Sequence, residues 1–255
     1  MVWKYWVGRC FVHKMNLEAY IITWNREDTI HFTIQHYQSF GCKVILFDNF
    51  STDTTRDIAE RMGCDVRLFG RAGELDDQTY LDIKNHAWKR SEADFVIVVD
   101  DDEILWHPRL LEELKEAKAR GNTIFETRGF NIHSDLMPVN DWLDIQTGEQ
   151  NANYSKTCIV DPKKVKDIRY HFGCHYSRPV GELNYHPVKL YLLHYRDVGG
   201  VERLIARHKL YQGRLSEVNK RYNLGHHYTE SEQSKRKQWA DFSARCVTLS
   251  EAGFS

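Results

Sequence analysis

Long apolar runs are missing from this 255-residue chain; none approaches the roughly 18 residues that a bilayer-spanning helix requires. An excess of one charge is missing too. Lys and Arg number 35 against 36 Asp and Glu, which excludes a dedicated nucleic-acid binder built on a basic surface. The six cysteines (Cys10, Cys42, Cys64, Cys158, Cys174 and Cys246) form no C-x-x-C pair, so they read as free thiols of a reducing compartment. Proline is scarce, at five residues, which leaves little room for an extended linker. Residues 1–14 carry Trp3, Trp6 and basic side chains but no apolar h-region and no small-residue cleavage site, so a secretory signal is not expected. The sequence from Met15 onward reads as a natural start, and 1–14 as a non-native or extended N-terminus.

What is present is a regular alternation. Ala19 to Trp24 reads as a buried strand, and Asn25-Arg26-Glu27-Asp28 breaks it. Ile30, Ile34 and Tyr37 fall at helical spacing, and Gly41 ends that helix. Lys43 to Phe47 is a second strand. A polar turn from Asp48 to Asp53 leads into a helix stopped by Gly63. Asp65 to Phe69 is a third strand, Asp76 to Arg90 is helical in pattern, and Phe95 to Val99 is the clearest buried strand. Another helix starts near Pro108. Such alternation predicts an α/β fold with a mostly parallel sheet flanked by helices, binding its ligand beyond the carboxyl ends of the strands. After Gly121, strands are expected at Thr123 to Thr127, Thr157 to Val160 and Val188 to Leu193. Two helices, near 201–222 and 230–249, close the chain. The organisation expected is one domain over 15–200, with the helices of 201–255 packed on it.

Four consecutive acids, Asp100 to Glu103, follow the clearest strand. Two carboxylates about 4 Å apart repel by about 4 kcal/mol at an effective dielectric near 20, so a cation is expected among them. Oxygen ligands select a hard ion, Mg²⁺ or Mn²⁺, which also grips phosphate. Strand alternation places Asp100 and Asp102 on one side and Asp101 on the other; Asp102 is the first candidate for the metal, with Asp100 near the ribose or metal. His194 ends an apolar run and is a candidate third ligand, since a neutral imidazole suits Mn²⁺.

Three segments together resemble the GT-A glycosyltransferases, in particular family 2. Ile21-Ile22-Thr23-Trp24-Asn25-Arg26-Glu27 is similar to their first strand and turn, Phe47-Asp48-Asn49-Phe50-Ser51-Thr52-Asp53 to their second-strand motif, and Asp100-Asp101-Asp102-Glu103 to their D-x-D motif. Lys84 to Lys89, Gly173-Cys174-His175, Leu193-His194-Tyr195 and Arg214-Leu215-Ser216 further resemble a subgroup of bacterial and viral chains of that type. The resemblance implies transfer of a sugar from a nucleotide diphosphate (UDP, dTDP or GDP) to a hydroxyl of a saccharide or lipid-linked acceptor, by inversion, in glycan or surface-polysaccharide assembly. It implies that Thr23 and Asp48 contact the base, that Asn25 and Arg26 line the same pocket, and that Lys84 approaches the diphosphate. Cytoplasmic location, with peripheral contact at the inner face of a membrane, goes with it.

The family's acidic base after the D-x-D motif has no clear counterpart between Gly129 and Gly181. His175, in a loop shaped by glycine and proline, competes with Glu182, Asp144 and Asp141 for that role. Arg203, Arg207, His208, Lys209 and Arg214 recur along one predicted helix and would form either a solvated face or a basic rim for a phosphorylated acceptor. A sugar nucleotidyltransferase would need a glycine-rich loop after the first strand, which Trp24-Asn25-Arg26-Glu27 does not supply. A phosphatase of the haloacid-dehalogenase type would place its acids after the first strand rather than the fourth. A non-catalytic sugar- or nucleotide-binding module of the same fold is the remaining alternative.

Overall fold

A computed structural model describes residues 15–250; the reading of residues 1–14 lies outside the described part. The first half is the expected alternation: β1 (Leu17–Thr23), α1 (Ile30–Ser39), β2 (Cys42–Asp48), α2 (Thr55–Arg61), β3 (Asp65–Leu68), α3 (Asp77–His86) and β4 (Phe95–Asp100). All four strands run parallel in the order β3-β2-β1-β4. Successive side chains of β1 and β4 go to opposite faces. Ala19, Ile21, Ile97 and Val99 therefore join one apolar core, and Tyr20, Ile22, Val96 and Val98 the other. Burial on both faces is why these strands read as continuous apolar runs. The chain moves outward from β1 to β3 and then returns to the far side of β1 as β4. The switch point of the topology is thus the crevice between the ends of β1 and β4, where such sheets hold ligands.

Beyond β4 the structure departs from the expectation. The acids do not lead straight into a helix. A turn at 101–102 is followed by a short strand, β5 (Glu103–Trp106), before α4 (Leu110–Arg120), which Gly121 ends in the left-handed conformation (φ 69°). The strand expected at Thr123–Thr127 is confined to bridges of Ile124, and the real strand, β6 (Thr127–Ser134), begins where that one was to end. It is followed by β7 (Thr147–Gln150), β8 (Ile159–Val160), β9 (Val165–Asp167), β10 (Val180–Gly181), β11 (Leu190–Val198) and β12 (Val247–Thr248). β8 adds an antiparallel edge to the first sheet, and a second sheet has the order β12-β7-β6-β11-β5. His194 therefore lies inside β11 rather than at its end. It pairs with Glu103 of β5 on one side and Asn131 of β6 on the other. The first closing helix is two: α5 (Val201–Gln212) and α6 (Glu217–Tyr222), divided at 213–216 where Ser216 caps α6. α7 (Glu232–Ser243), capped by Ser231, completes the C-terminal layer.

One glycine controls how the second sheet meets the site. A Cβ on Gly129 of β6 would lie 2.2 Å from the Tyr154 carbonyl carbon and 2.5 Å from Ser155 N. Gly129 N also donates to Ser155 Oγ, and its carbonyl accepts from Asn151 N. Gly129→Ala should lower stability by about 3 kcal/mol through overpacking. Gly213→Ala, at a helical φ of −66° with no atom nearer than 3.6 Å, should be neutral or stabilising by about 0.4–1 kcal/mol. Urea unfolding of both variants checks the contrast; equal effects would contradict it.

Candidate active site

The turns after β1 and β2 are laced together before any ligand is considered. Asn25 adopts a left-handed φ of 48°. Its side chain accepts from Thr52 N at 2.8 Å and donates to Thr52 Oγ1 at 3.1 Å. Arg26 N donates to Thr55 Oγ1, and Glu27 accepts from Thr54 N and Oγ1. Asn25 is therefore a clasp between the two turns and not a wall of the pocket. Asp48 is likewise turned inward. It is 0% exposed, and its carboxylate accepts from Ser51 N and Ser51 Oγ. Burial raises its pKa. Asp48, expected to contact the base, is thus tied to Ser51 and is not among the residues that line the cavity at the ends of β1 and β4.

With the turns held this way, a cavity of about 220 Å³ opens over the ends of β1 and β4. Thr23, Arg26, Lys84, Asp100, Asp101, Asp102, His175 and His194 all line it. Thr23 Oγ1 donates to Asp101 Oδ2 at 2.7 Å, so it holds an acid in place. Arg26 reaches back from its turn: Nη2 donates to Asp102 Oδ2 at 2.7 Å, and Nε lies 2.7 Å from Asp101 Oδ1 without hydrogen-bond alignment. Asp101 and Asp102 thus share one cation instead of pointing apart, because the chain turns here and strand alternation has ended. Lys84 Nζ pairs with Asp100 Oδ2 at 2.6 Å. Lys156, which no sequence motif singled out, pairs with Glu103 Oε1 at 2.6 Å and lies 3.8 Å from Asp100.

Four carboxylates therefore meet three permanent cations in direct contact. Burial alone would raise the pKa of Asp102, but Arg26 outweighs it and holds it below the ordinary carboxylate value. For Asp101 burial wins over Arg26, and its pKa is raised. Burial would likewise lower Lys84; Asp100 reverses this and keeps it firmly protonated.

His194 Nε2 faces Asp102 Oδ1 at 3.5 Å. Asn131 Nδ2 donates to Asp197 Oδ2 at 2.8 Å, so its Oδ1 is the atom 3.2 Å from His194 Nδ1. That assigns the ring proton to Nδ1 and leaves the Nε2 lone pair directed at a carboxylate. Burial lowers the pKa of His194 despite Asp102, so the ring is neutral. Tyr154 stacks on it at 4.2 Å, and Arg196 pairs with Asp197 behind it. Two acceptors facing each other without a proton between them suit a cation, and a carboxylate–imidazole pair is a donor set for Mn²⁺ or Mg²⁺ when phosphate completes the shell. Among the described residues no group of three or more His, Cys, Asp or Glu is arranged to hold a metal. Asp100, expected as a further ligand, also lines the cavity and pairs through Oδ2 with Lys84.

The remaining expectations divide sharply. His175 stands at the cavity, edge-on to Tyr154, with its pKa lowered by burial and then by Lys156. Glu182 is exposed and pairs with Lys164 at 2.9 Å, away from the cavity. Asp144 caps the turn at 141–144 by accepting from Val139, Asn140 and Asp141 N–H groups, and is equally remote. The basic rim does not form. Arg203 pairs with Asp28, Lys209 with Glu232, and Arg214 is buried over the Trp24 ring. Arg207 enters the cavity and bonds the neutral Asn25 carbonyl and Tyr211 hydroxyl.

The model of the family described as "Glycosyl transferase family 2" matches residues 19–180. No curated protein matches the chain. Among solved structures, TarS of S. aureus is 14% identical over 76% of this chain and 40% of its own, with a TM-score of 0.42. Its 1–349 fragment in complex with UDP-GlcNAc is 14% identical over 89% of this chain and 71% of that one, at 0.43. Glucosyl-3-phosphoglycerate synthase of Mycobacterium tuberculosis, in complex with Mn²⁺, UDP and glucosyl-3-phosphoglycerate, is 18% identical over 46% of this chain and 44% of its own, at 0.33. The chain spans less than half the length of full TarS and of the synthase.

Arg26 makes the acid turn sustainable in the fold. Arg26→Ala should cost about 3–5 kcal/mol in urea unfolding, because two buried carboxylates lose their counter-ion. Adding Asp101→Asn in that background should restore part of the loss. A cost below about 1 kcal/mol would show that the pair does not hold the site.

Proposed function

This chain belongs to glycosyl transferase family 2, and from that premise we propose that its GT-A-fold domain moves a sugar from a nucleotide diphosphate to a hydroxyl acceptor. The observation that carries the reading is the cavity at the β1/β4 switch point, with a neutral His194 facing Asp102 of the acid turn. Asp102 and His194 are the residues that would hold Mn²⁺ or Mg²⁺. When bound there, such an ion supplies neutralisation of the charge that builds on the departing diphosphate.

The protein's own groups account for the rest. Arg207 lines the cavity and hydrogen-bonds neutral partners, with its charge felt by Asp101 and Asp102, and in the proposed complex it also meets phosphate oxygens. Lys84 and Arg26, already neutralised by acids, orient those acids and contribute little free charge. Water exclusion follows from the lid of α5 and the 225–228 turn, since Leu204, His208, Tyr211 and Tyr228 all line the cavity. His175, kept neutral by burial, is the one of the four expected bases that lines the cavity. In the proposed reaction it takes the acceptor proton in a single, inverting displacement. The donor base is left open among uracil, thymine and guanine, since Asp48 is bonded to Ser51 and does not line the cavity. A saccharide or lipid-linked hydroxyl in glycan assembly is the proposed acceptor, and no helix among the described residues is long and apolar enough to cross a membrane.

Calorimetric titration of UDP, dTDP and GDP, each with and without Mn²⁺, tests the donor half of this reading. One nucleotide should bind at least tenfold more tightly with the ion, and Asp102→Asn and His194→Ala should abolish that gain while leaving metal-free binding within threefold. No binding by any of the three, with metal present, would contradict the proposal.

A further inference from the structure

We infer that the loop 169–178 docks on an anionic lipid surface, seating Phe172, Tyr176 and Arg178 among the headgroups and holding the mouth of the cavity against the bilayer. The inference stands apart from the transferase reading, because it concerns the outer face of this loop and needs no nucleotide. β9 and β10 pair antiparallel, with Val180 opposite Asp167 and Gly181 opposite Val165, and a bridge from Tyr170 to Ser177 carries the pairing onward. The chain then reverses in a tight turn. Cys174 N donates to the His171 carbonyl at 2.8 Å and His171 N to the Tyr176 carbonyl at 3.0 Å, with Arg169, Gly173 and Cys174 at left-handed φ.

This turn divides its side chains between two faces. Val165, Ile168, Tyr170 and Cys174 go inward, to the core that Tyr20 and Val96 enter. Gly173, Cys174 and His175 line the cavity. Phe172 and Tyr176 go outward and are 46% and 55% exposed. Loop tips ordinarily carry small polar residues, so two large rings in water at one tip need a cover. Aromatic rings next to a cation suit the level of lipid headgroups, where the ring meets the acyl boundary and the charge meets phosphate.

The local charge has the matching sign. Between 162 and 189 the sequence holds six Lys and Arg against two acids, whereas elsewhere in the chain acids outnumber bases. Lys166 and Arg178 are exposed. Arg178 Nε donates to the Tyr176 hydroxyl at 3.2 Å, with its guanidinium 5.6 Å over that ring; its charge is met by no acid among the described residues. Arg169 lies 3.9 Å from Asp167, which sits closer to Lys89, at 3.2 Å. Only Lys164 has a short pair of its own here, with Glu182. The potential of an anionic bilayer falls off within a Debye length, about 8 Å at physiological salt, so it acts on a loop tip and not on net charge. An extended polyanion would run on from the loop over a chain that is acidic elsewhere.

Sedimentation of the full chain with vesicles of phosphatidylcholine, alone or mixed three to one with phosphatidylglycerol, tests the inference. Binding should be at least fivefold tighter on the anionic vesicles and should weaken at about 0.5 M salt. Lys166→Gln with Arg178→Gln should lower it at least tenfold, since each cation near an anionic surface contributes about fivefold. Phe172→Ser with Tyr176→Ser should lower it by a similar factor. Urea unfolding checks that both double variants keep the fold, and the lipid and salt comparisons on the unaltered chain decide if one does not. No binding to either vesicle, equal binding to both, or binding indifferent to both double variants would overturn the inference. So would a dimer in light scattering that Phe172→Ser with Tyr176→Ser dissociates, because a second copy would then be what covers the rings.

Discussion

Compensation of the acid turn is the constraint on which the rest of this structure depends. Four carboxylates from Asp100 to Glu103 leave the end of β4 at the switch point of a parallel sheet, three of them buried. Such a turn cannot be carried by local sequence. Arg26 comes from the turn after β1, Lys84 from the last turn of α3, and Lys156 from a segment more than fifty residues downstream. Each cation requires its element to be in place, so the acids act as a checkpoint for assembly of the site. β11 closes the arrangement: Tyr195 N donates to the Asp102 carbonyl at 2.7 Å, and the register with β5 sets His194 opposite Glu103. The position of one imidazole against one carboxylate thus depends on strands from both sheets.

The first half of the fold was legible because local pattern and tertiary role coincide there. Strands buried on both faces must be apolar throughout, and their helices start and stop at residues with local reasons to do so. The acids were legible as a functional cluster for the same reason: their cost is visible in sequence. Their partners were not. Lys156 and Asn131 carry no motif; they matter only through β6, and the segment 155–158 that Gly129 allows to approach it. Alternation also misled at Asp101, because a strand rule was applied across a turn. Asn25 and Asp48 show another limit. Their motif was recognisable, yet in this structure the Asn25 side chain joins the two turns and the Asp48 carboxylate holds Ser51 within its own turn, roles that need the same residue types as ligand contact. Glu182 and Asp144 were named for chemistry alone, and chemistry without position does not separate a base from a surface ion pair or a cap. His194 illustrates the reverse, named at a strand end and found within a longer strand, but still at the cavity.

The basic residues of α5 do not form a rim: Arg207 turns into the charged cavity, whereas Arg203 and Lys209 tie the helix to its neighbours.

The central claim is that the Asp102–His194 pair serves the departure of a nucleotide diphosphate from a sugar. Release of free nucleotide from UDP-glucose, UDP-N-acetylglucosamine, dTDP-glucose and GDP-mannose, followed without acceptor in the presence and absence of Mn²⁺, tests it most directly. The account predicts slow turnover of one donor class that requires the ion and falls at least tenfold in Asp102→Asn. Release indifferent to Asp102→Asn, or no release from any of the four with the ion present, would contradict it.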